Sequence, residues 1–275
     1  MKTLRLIGLL IMAVMVSINL TACGDDDDEE NTPITQKYIE TLKYTDDDTE
    51  YELKASYDDK NRLIKIANDD VDFTINYETS TIVYYRKYDY DYREFSFKMN
   101  DKNYVTDITA TTGSQYTNEE AQFSYDGNGH LINSVYKYKF NNKDYREMSV
   151  HQWKDGNLIN IKTGLGDETE QVDFKYGNSI NKGNIQPYYG IYDNSLFRII
   201  ATEKIGSILV SSGLFGKLSR NLVSSMSMYD DERTYTYELD ANGFVNKATW
   251  VILKHLAQTF LLIKNKIQQK AAFEG

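Results

Sequence analysis

Five times along the chain, a cluster of Asp, Asn and Gly separates two runs in which apolar and polar residues alternate. The copies are Tyr57-Asp58-Asp59-Lys60-Asn61-Arg62-Leu63-Ile64, Met99-Asn100-Asp101-Lys102-Asn103-Tyr104-Val105, Tyr125-Asp126-Gly127-Asn128-Gly129-His130-Leu131-Ile132, Leu239-Asp240-Ala241-Asn242-Gly243-Phe244-Val245 and, with a shorter turn, Trp153-Lys154-Asp155-Gly156-Asn157-Leu158-Ile159. Strand side chains point alternately to opposite faces, so alternation marks a strand with one buried face. A tight reversal needs residues that tolerate positive φ or bond their own backbone, and Asp, Asn and Gly do both. Each copy predicts a β-hairpin, and turn chemistry explains its residues without a ligand. Further strands are expected at Val71–Tyr77 and Thr81–Tyr88. From Gln36 onward Tyr, Thr, Val, Ile and Phe are dense, and the prolines are confined to Pro33 and Pro187. That is strand composition. The fold class read from it is all-β: an antiparallel meander of repeated hairpins, curled or partly closed into a barrel-like sheet, because a long open sheet leaves bare edges.

Two stretches break the alternation. At about 193–225, Asn194 or Ser195 can cap a helix with Leu196, Ile199, Ile200 and Ile208 on one side, and Gly213 to Leu222 then reads as an apolar loop or turn of helix. This predicts one short helical insertion packed over one end or face of the sheet. After the fifth turn a meander should return as an alternating strand. Instead Trp250-Val251-Ile252-Leu253-Lys254-His255-Leu256-Ala257 and the residues beyond read as helical. Either the fold ends in an anomalous, amphipathic C-terminal helix, or the closing strand has been lost or replaced.

The first 22 residues have a different character. Lys2 and Arg5 precede an apolar run from Leu6 to Leu20, and Leu20-Thr21-Ala22-Cys23 follows. A charged region, an apolar region and a lipobox make a lipoprotein signal peptide over 1–22. The run is shorter than the roughly 20 residues of a spanning helix. Cys23 is the chain's one cysteine, placed where lipid attachment requires it. Two or three acyl chains, at about 0.8 kcal/mol per buried CH₂, hold a protein on a bilayer. Gly24 to Glu30 is polyacidic, so 23–35 reads as an acylated, disordered tether and 36–275 as a single β-meander domain. The membrane is thus one partner, through the N-terminal lipid. Net charge is −10 and grows more negative once Lys2 and Arg5 leave. With no run of clustered Lys and Arg, that argues against nucleic acid as another partner.

Catalytic chemistry is sparse. The three histidines, His130, His151 and His255, suggest no nucleophile–base pair and no zinc-ligand spacing. Asp126-Gly127-Asn128-Gly129 resembles a calcium loop superficially, but Leu131 and Lys137 stand where an EF-hand needs Gly and Glu. Acid pairs at Asp46-Asp47-Asp48 and Asp69-Asp70 read as solvated surface. We assign no catalytic residue and no cofactor, and expect a non-enzyme. The remaining chemistry lies in 23 tyrosines, with dense runs at Tyr84 to Tyr92 and at Tyr136 and Tyr138. Exposed aromatic faces stack on sugars and peptides while Tyr keeps a hydroxyl for hydrogen bonding. Tyr84, Tyr88, Tyr90 and Tyr92 are the candidate ligand-binding residues, sharing one face if their strand is continuous. Cross-strand pairing within the sheet explains the same tyrosines without a ligand.

The lipobox and acidic tether, the repeated Tyr-Asp hairpins, and the Gly183-Asn184-Ile185 and Gly216 to Leu222 segments together resemble a family of Bacteroidetes lipoproteins classed as a domain of unknown function with a porin-like fold. The resemblance runs from about Tyr38 to Trp250. It implies a partly closed antiparallel barrel-like sheet and brings no activity or catalytic residue. Acidic residues directly after the acylated cysteine resemble the signal that sends such lipoproteins to the outer face of the outer membrane; a periplasm-facing anchor is the other reading. The turns are not separated by apolar bands with aromatic girdles, so no pore is expected. The functional expectation is a lipid-anchored, non-enzymatic surface module binding glycans or another polymer. The alternatives are a lipid- or lipoprotein-handling protein with an apolar cavity and a carboxylate-dependent hydrolase. No feature of the pattern sets an oligomeric state.

Overall fold

The computed structural model of the chain describes residues 12–17, 38–46, 49–88, 90–112, 117–165, 168–182, 185, 203–228 and 231–252. Cys23, the acidic tether and residues beyond 252 lie outside them. The strands are β1 (Met12–Ser17), β2 (Thr41–Asp46), β3 (Thr49–Tyr57), β4 (Leu63–Ala67), β5 (Val71–Asn76), β6 (Thr81–Arg86), β7 (Asp91–Met99) and β8 (Val105–Thr112). They continue as β9 (Thr117–Tyr125), β10 (Leu131–Phe140), β11 (Lys143–Lys154), β12 (Asn157–Leu165), β13 (Glu168–Ile180), β14 (Asn221–Met228), β15 (Asp231–Leu239) and β16 (Val245–Ile252). From β2 to β16 each strand pairs antiparallel with the next, so the meander is all-β and curled. Its two outer strands do not pair with each other. Both pair with β1, which closes the barrel: Met12 faces Trp250 and Met15 faces Lys247 on one side, and Val16 faces Leu42 on the other.

The five repeats form hairpin turns at one end of the barrel, and four share one hydrogen-bond scheme. In the first, the Asp58 N–H donates to the Arg62 carbonyl at 3.0 Å and the Asn61 N–H to the Asp58 carbonyl at 3.0 Å. The Asp58 carboxylate accepts the N–H groups of Lys60 at 3.0 Å and Arg62 at 2.8 Å. Asn100 and Asp240 repeat this with their own following residues, and Asp126 accepts the His130 N–H at 2.8 Å. The residue three places on has positive φ: Asn61 59°, Asn103 61°, Gly129 89° and Gly243 81°. This is why the motif carries Asp or Asn at its second position and Asn or Gly at its fifth.

Aromatic residues at or near the turn ends of the strands link neighbouring hairpins. Tyr77, Tyr125, Trp153 and Tyr176 donate to the carbonyls of Leu63 at 3.0 Å, Val105 at 2.6 Å, Leu131 at 2.8 Å and Leu158 at 2.7 Å. Much of the tyrosine content is therefore structural, and burial raises the Tyr77 phenol to about 12.

Alternation sends Phe73, Phe95, Ile108, Leu131, Tyr136, Leu158 and Ile161 inward, where they are fully buried. Each contributes about 1.5–3 kcal/mol by leaving water. The insertion closes the turn end. Its helix α1 (Glu203–Ser211) buries Ile205, Ile208, Leu209 and Val210. Phe215 packs edge-on to Phe123 at 5.1 Å. Three backbone bonds tie the following loop to the turns: Val105 N–H to Leu214 O at 2.9 Å, Lys217 N–H to Gly129 O at 2.8 Å and Arg220 N–H to Gly156 O at 2.9 Å. The void among Ile75, Phe97, Leu209 and Phe215 is about 10 Å³, at or below what one water needs.

Two boundaries differ from the sequence reading. The described helix spans Glu203–Ser211, and the insertion ends before Asn221, where β14 starts, because Leu222, Val223 and Met226 turn to the core. Asn194, Ser195, Leu196, Ile199 and Ile200 lie outside the described residues. Trp250 to Ile252 belong to β16 and are not the start of a helix: all three pair with β15, and Trp250 also with β1, and this pairing overrides their helical pattern.

Outward positions carry cross-strand ion pairs: Lys43–Glu52 at 3.1 Å, Lys65–Asp72 at 2.7 Å, Lys137–Glu120 at 2.7 Å and Lys247–Glu238 at 3.0 Å. A lipid-facing barrel carries an apolar band at these positions, where a cation costs roughly 2–4 kcal/mol. The outer face has the chemistry of a water-facing surface.

Candidate functional site

The end of the barrel opposite the repeat turns carries the short connections between β4 and β5, β6 and β7, and β10 and β11. The first two hold each other. Asp70 accepts the Arg86 guanidinium at 3.2 Å and the Tyr88 N–H at 3.2 Å, the Lys87 N–H donates to the Asp70 carbonyl at 2.8 Å, and the Lys87 ammonium donates to the Asp69 carbonyl at 2.9 Å. Asp70 is committed to this turn. The connection displays Tyr88 and Tyr90, each 80% exposed, with Tyr90 at φ 54°. Tyr92 begins the next strand, 45% exposed, its hydroxyl on Glu94 at 3.1 Å.

These placements correct the face shared by the four candidate tyrosines. Tyr84 is buried inside, opposite Phe73 and Arg93. The turn between β6 and β7 interrupts the strand and separates Tyr84 from Tyr88, Tyr90 and Tyr92, which sit on the rim and outer face.

Around the barrel from them, a bulge shapes the sheet. Asn118 has φ 55°, and pairing between β9 and β10 slips there, from Glu120 opposite Lys137 to Thr117 opposite Lys139. An extra residue bends a strand and re-aims its neighbours. Here Glu119 points inward, fully buried, where Arg93 Nη2 donates to both its oxygens at 2.9 and 3.1 Å and the Tyr136 hydroxyl donates at 2.6 Å. Glu147 is also buried and accepts from the Tyr138 hydroxyl at 3.4 Å. Glu119 is thereby occupied by structural partners.

Beside the bulge lies a cleft of about 610 Å³, lined by Asn118, Glu120, Lys137, Tyr138, Tyr145 and Arg146 among others. The hairpin of β10 and β11 forms one wall, turning at Asn141 and Asn142, φ 48° and 60°, the positive pair of a two-residue hairpin turn. Tyr138 and Tyr145 stack at 5.0 Å with rings 7° apart, the Lys143 ammonium lies 5.2 Å over Tyr145, and Phe140 at the tip is 41% exposed.

The sequence reading noticed Tyr136 and Tyr138 but found no basic cluster. Alternation spreads Lys137, Lys139, Lys143 and Arg146 along the chain, and only the Asn141-Asn142 reversal brings them to one tip. That Asn-Asn pair between alternating cations and aromatics was the available signal. Of the histidines, His130 stacks on Trp153 at 4.3 Å and meets Asp126 at 3.1 Å, His151 is buried, and His255 lies outside the described residues.

A curled antiparallel meander, sealed at its turn end and bearing aromatics on the other rim, defines a porin-like protein in shape, with an interior too full for a pore at the sealed end. The chain belongs to the family described as a domain of unknown function with porin-like fold, whose model matches residues 69–247. A porin-like protein from Bacteroides uniformis has the same fold at TM-score 0.55 and 15% identity, over 89% of this chain and 95% of that one. Another, from Bacteroides vulgatus, aligns at TM-score 0.49 and 16% identity, over 78% of this chain and 97% of that one. No curated protein matches.

Proposed function

We propose that the protein is a non-enzymatic binding module, held on the outer face of the envelope by lipid on Cys23, that captures glycans or a similar polymer on the rim away from its tether. The observation that carries this reading is the pair Tyr88 and Tyr90, four-fifths exposed on a turn that Asp70 fixes. Aromatics held in place lose little conformational freedom on stacking against a sugar ring, which leaves more of the contact energy for affinity.

The topology supports the arrangement. The Tyr57 hydroxyl donates to the Ile39 carbonyl at 2.8 Å and the Ala55 N–H to the Glu40 carbonyl at 2.8 Å, so the chain enters β2 at the turn end. An anchor there keeps the turn end toward the membrane, while β6 and β7, roughly 20 and 30 Å long, carry the tyrosine rim outward. The filled interior beneath α1 counts against an apolar lipid cavity at that end, and the occupation of Glu119 by Arg93 and Tyr136 counts against a hydrolytic role for it.

The test is calorimetric titration and glycan-array screening of the processed, detergent-solubilised protein. The reading expects a glycan ligand whose binding falls at least tenfold in the Tyr88→Ala/Tyr90→Ala variant with an unchanged melting temperature. A folded protein that binds no glycan overturns it. Labelled palmitate incorporation that survives Cys23→Ser overturns the anchor.

A further inference from the structure

We infer that the seat of β1 is a strand-accepting site, which takes an extended segment of another protein, apolar at alternate positions, once residues 1–22 are cut away. The inference rests on the lipid-anchor reading above, which supplies the cut, and adds a protein partner to it. Neighbouring strands from β2 to β16 are antiparallel, and β1 is antiparallel to both of its own neighbours. The strands from β2 to β16 number fifteen, so the first and the last run in the same direction. They can meet each other only in a parallel seam, the less stable pairing per residue. That seam would also narrow a barrel whose diameter follows its strand count, around an interior that Phe73, Phe95, Ile108 and Tyr136 already fill. One added antiparallel strand satisfies both edges and keeps the diameter.

The register of β1 specifies the guest. Val14 stands opposite Ala248 of β16 and Val16 opposite Leu42 of β2, and both Ala248 and Leu42 are buried core residues. Taking β1 away bares two backbone edges and this apolar pair together, the kind of edge that proteins keep covered. The guest therefore needs apolar residues at those two positions, which are two apart and share one face. Met15, between them, is in register with both neighbours, opposite Lys247 on β16 and Lys43 on β2. Those lysines belong to the outer face, where Lys247 pairs with Glu238 at 3.0 Å and Lys43 with Glu52 at 3.1 Å. A strand position with a cation directly opposite on each side favours an acid. Because β1 puts methionine there, a guest reading apolar, acid, apolar fits this seat better than β1 itself. The backbone rows of β2 and β16 supply affinity whatever the sequence, and these three positions supply selectivity.

The experiment uses the exported, detergent-solubilised full chain and three fluorescent peptides with a solubilising tail: Leu10 to Asn19, the same peptide with Met15→Glu, and the same with Val14→Asp/Val16→Asp. Intact mass is read first, and protein that keeps residues 1–22 overturns the cut and this inference with it. With processed protein, the expected result is saturable binding of the first peptide and binding at least tenfold weaker for Val14→Asp/Val16→Asp. The Met15→Glu peptide should bind about threefold tighter or more at low salt, with the gain shrinking as salt rises. Bound peptide should slow hydrogen exchange at the β2 and β16 amides and leave the repeat turns unchanged. Processed protein that takes none of the peptides overturns this inference and leaves the anchor standing. Equal binding of the Val14→Asp/Val16→Asp peptide, or protection away from β2 and β16, overturns the site, and no gain from Met15→Glu overturns the acidic preference. A dimer that the first peptide does not displace gives the seat to a second copy and overturns the assignment. Binding seen only after truncation behind Ile252 gives the seat to the chain's own tail and overturns it equally.

Discussion

At the scale of the residue, one carboxylate or amide oxygen organises each repeat turn. Asn100 does with an amide what Asp58, Asp126 and Asp240 do with carboxylates, so charge is secondary to the acceptor oxygen. Asp126→Ala should lower stability by about 1–3 kcal/mol and Asp126→Asn by clearly less, read from denaturant midpoints. For Asp58, burial pushes the pKa up, but the Arg62 N–H and guanidinium and the Lys60 N–H outweigh it and hold the carboxyl below its usual range. Asp126 behaves alike through His130 and Asn128. A depressed folded pKa adds stability above the unfolded value, about 3.9, and that stability is lost as pH falls through the folded value. Asp58→Asn/Asp126→Asn should therefore flatten the decline in melting temperature below pH 4. The tyrosines give a second contrast. Tyr125→Phe removes a 2.6 Å bond and orphans the Val105 carbonyl, costing about 1–2 kcal/mol. The buried Tyr237 hydroxyl has no hydrogen-bond partner among the described residues, and burial raises its pKa, so Tyr237→Phe should be neutral or stabilising in the same assay.

At the scale of the element, the insertion and the bulge decide what the two ends can do. Gly216 has φ 92°, and a Cβ there would lie 2.5 Å from the Gly129 carbonyl oxygen. Gly216→Ala should part the loop from the turns, destabilise by more than about 2 kcal/mol, and raise hydrogen exchange at the Val105 and Lys217 amides above that of the strands. The hairpins were legible in the sequence because turn chemistry and alternation are local. The end of the insertion was not: Leu222 and Val223 read as part of it until β14 pairs with the neighbouring β13. The bulge left no local mark, since Asn118 in Tyr116-Thr117-Asn118-Glu119 resembles any polar strand residue, and its inward Glu119 depends on Arg93, 26 positions away in sequence. Glu119→Gln removes a buried charge that Arg93 and Tyr136 hold in the interior, and a loss of about 3–5 kcal/mol is expected by chemical denaturation.

At the scale of the whole molecule, the curled meander was foreseeable from the number of repeats and the need to hide sheet edges. How the curl closes was not, because no local pattern says which strand neighbours the last. The answer bears on the leader segment. β1, the strand between β2 and β16, lies within residues 1–22, the segment that the proposed signal peptide comprises. In the precursor the sheet is a ring, and a ring has no ends. If that segment is removed as proposed, the sheet becomes a ribbon, with two rows of N–H and C=O groups released together. Hydrogen exchange should find the β2 and β16 amides fast in processed protein and slow in a Cys23→Ala precursor. Equal protection in both would mean that the ribbon's ends have found each other or another strand. On that proposal, removing β1 is a change of topology, which turns a sheet without edges into one with two.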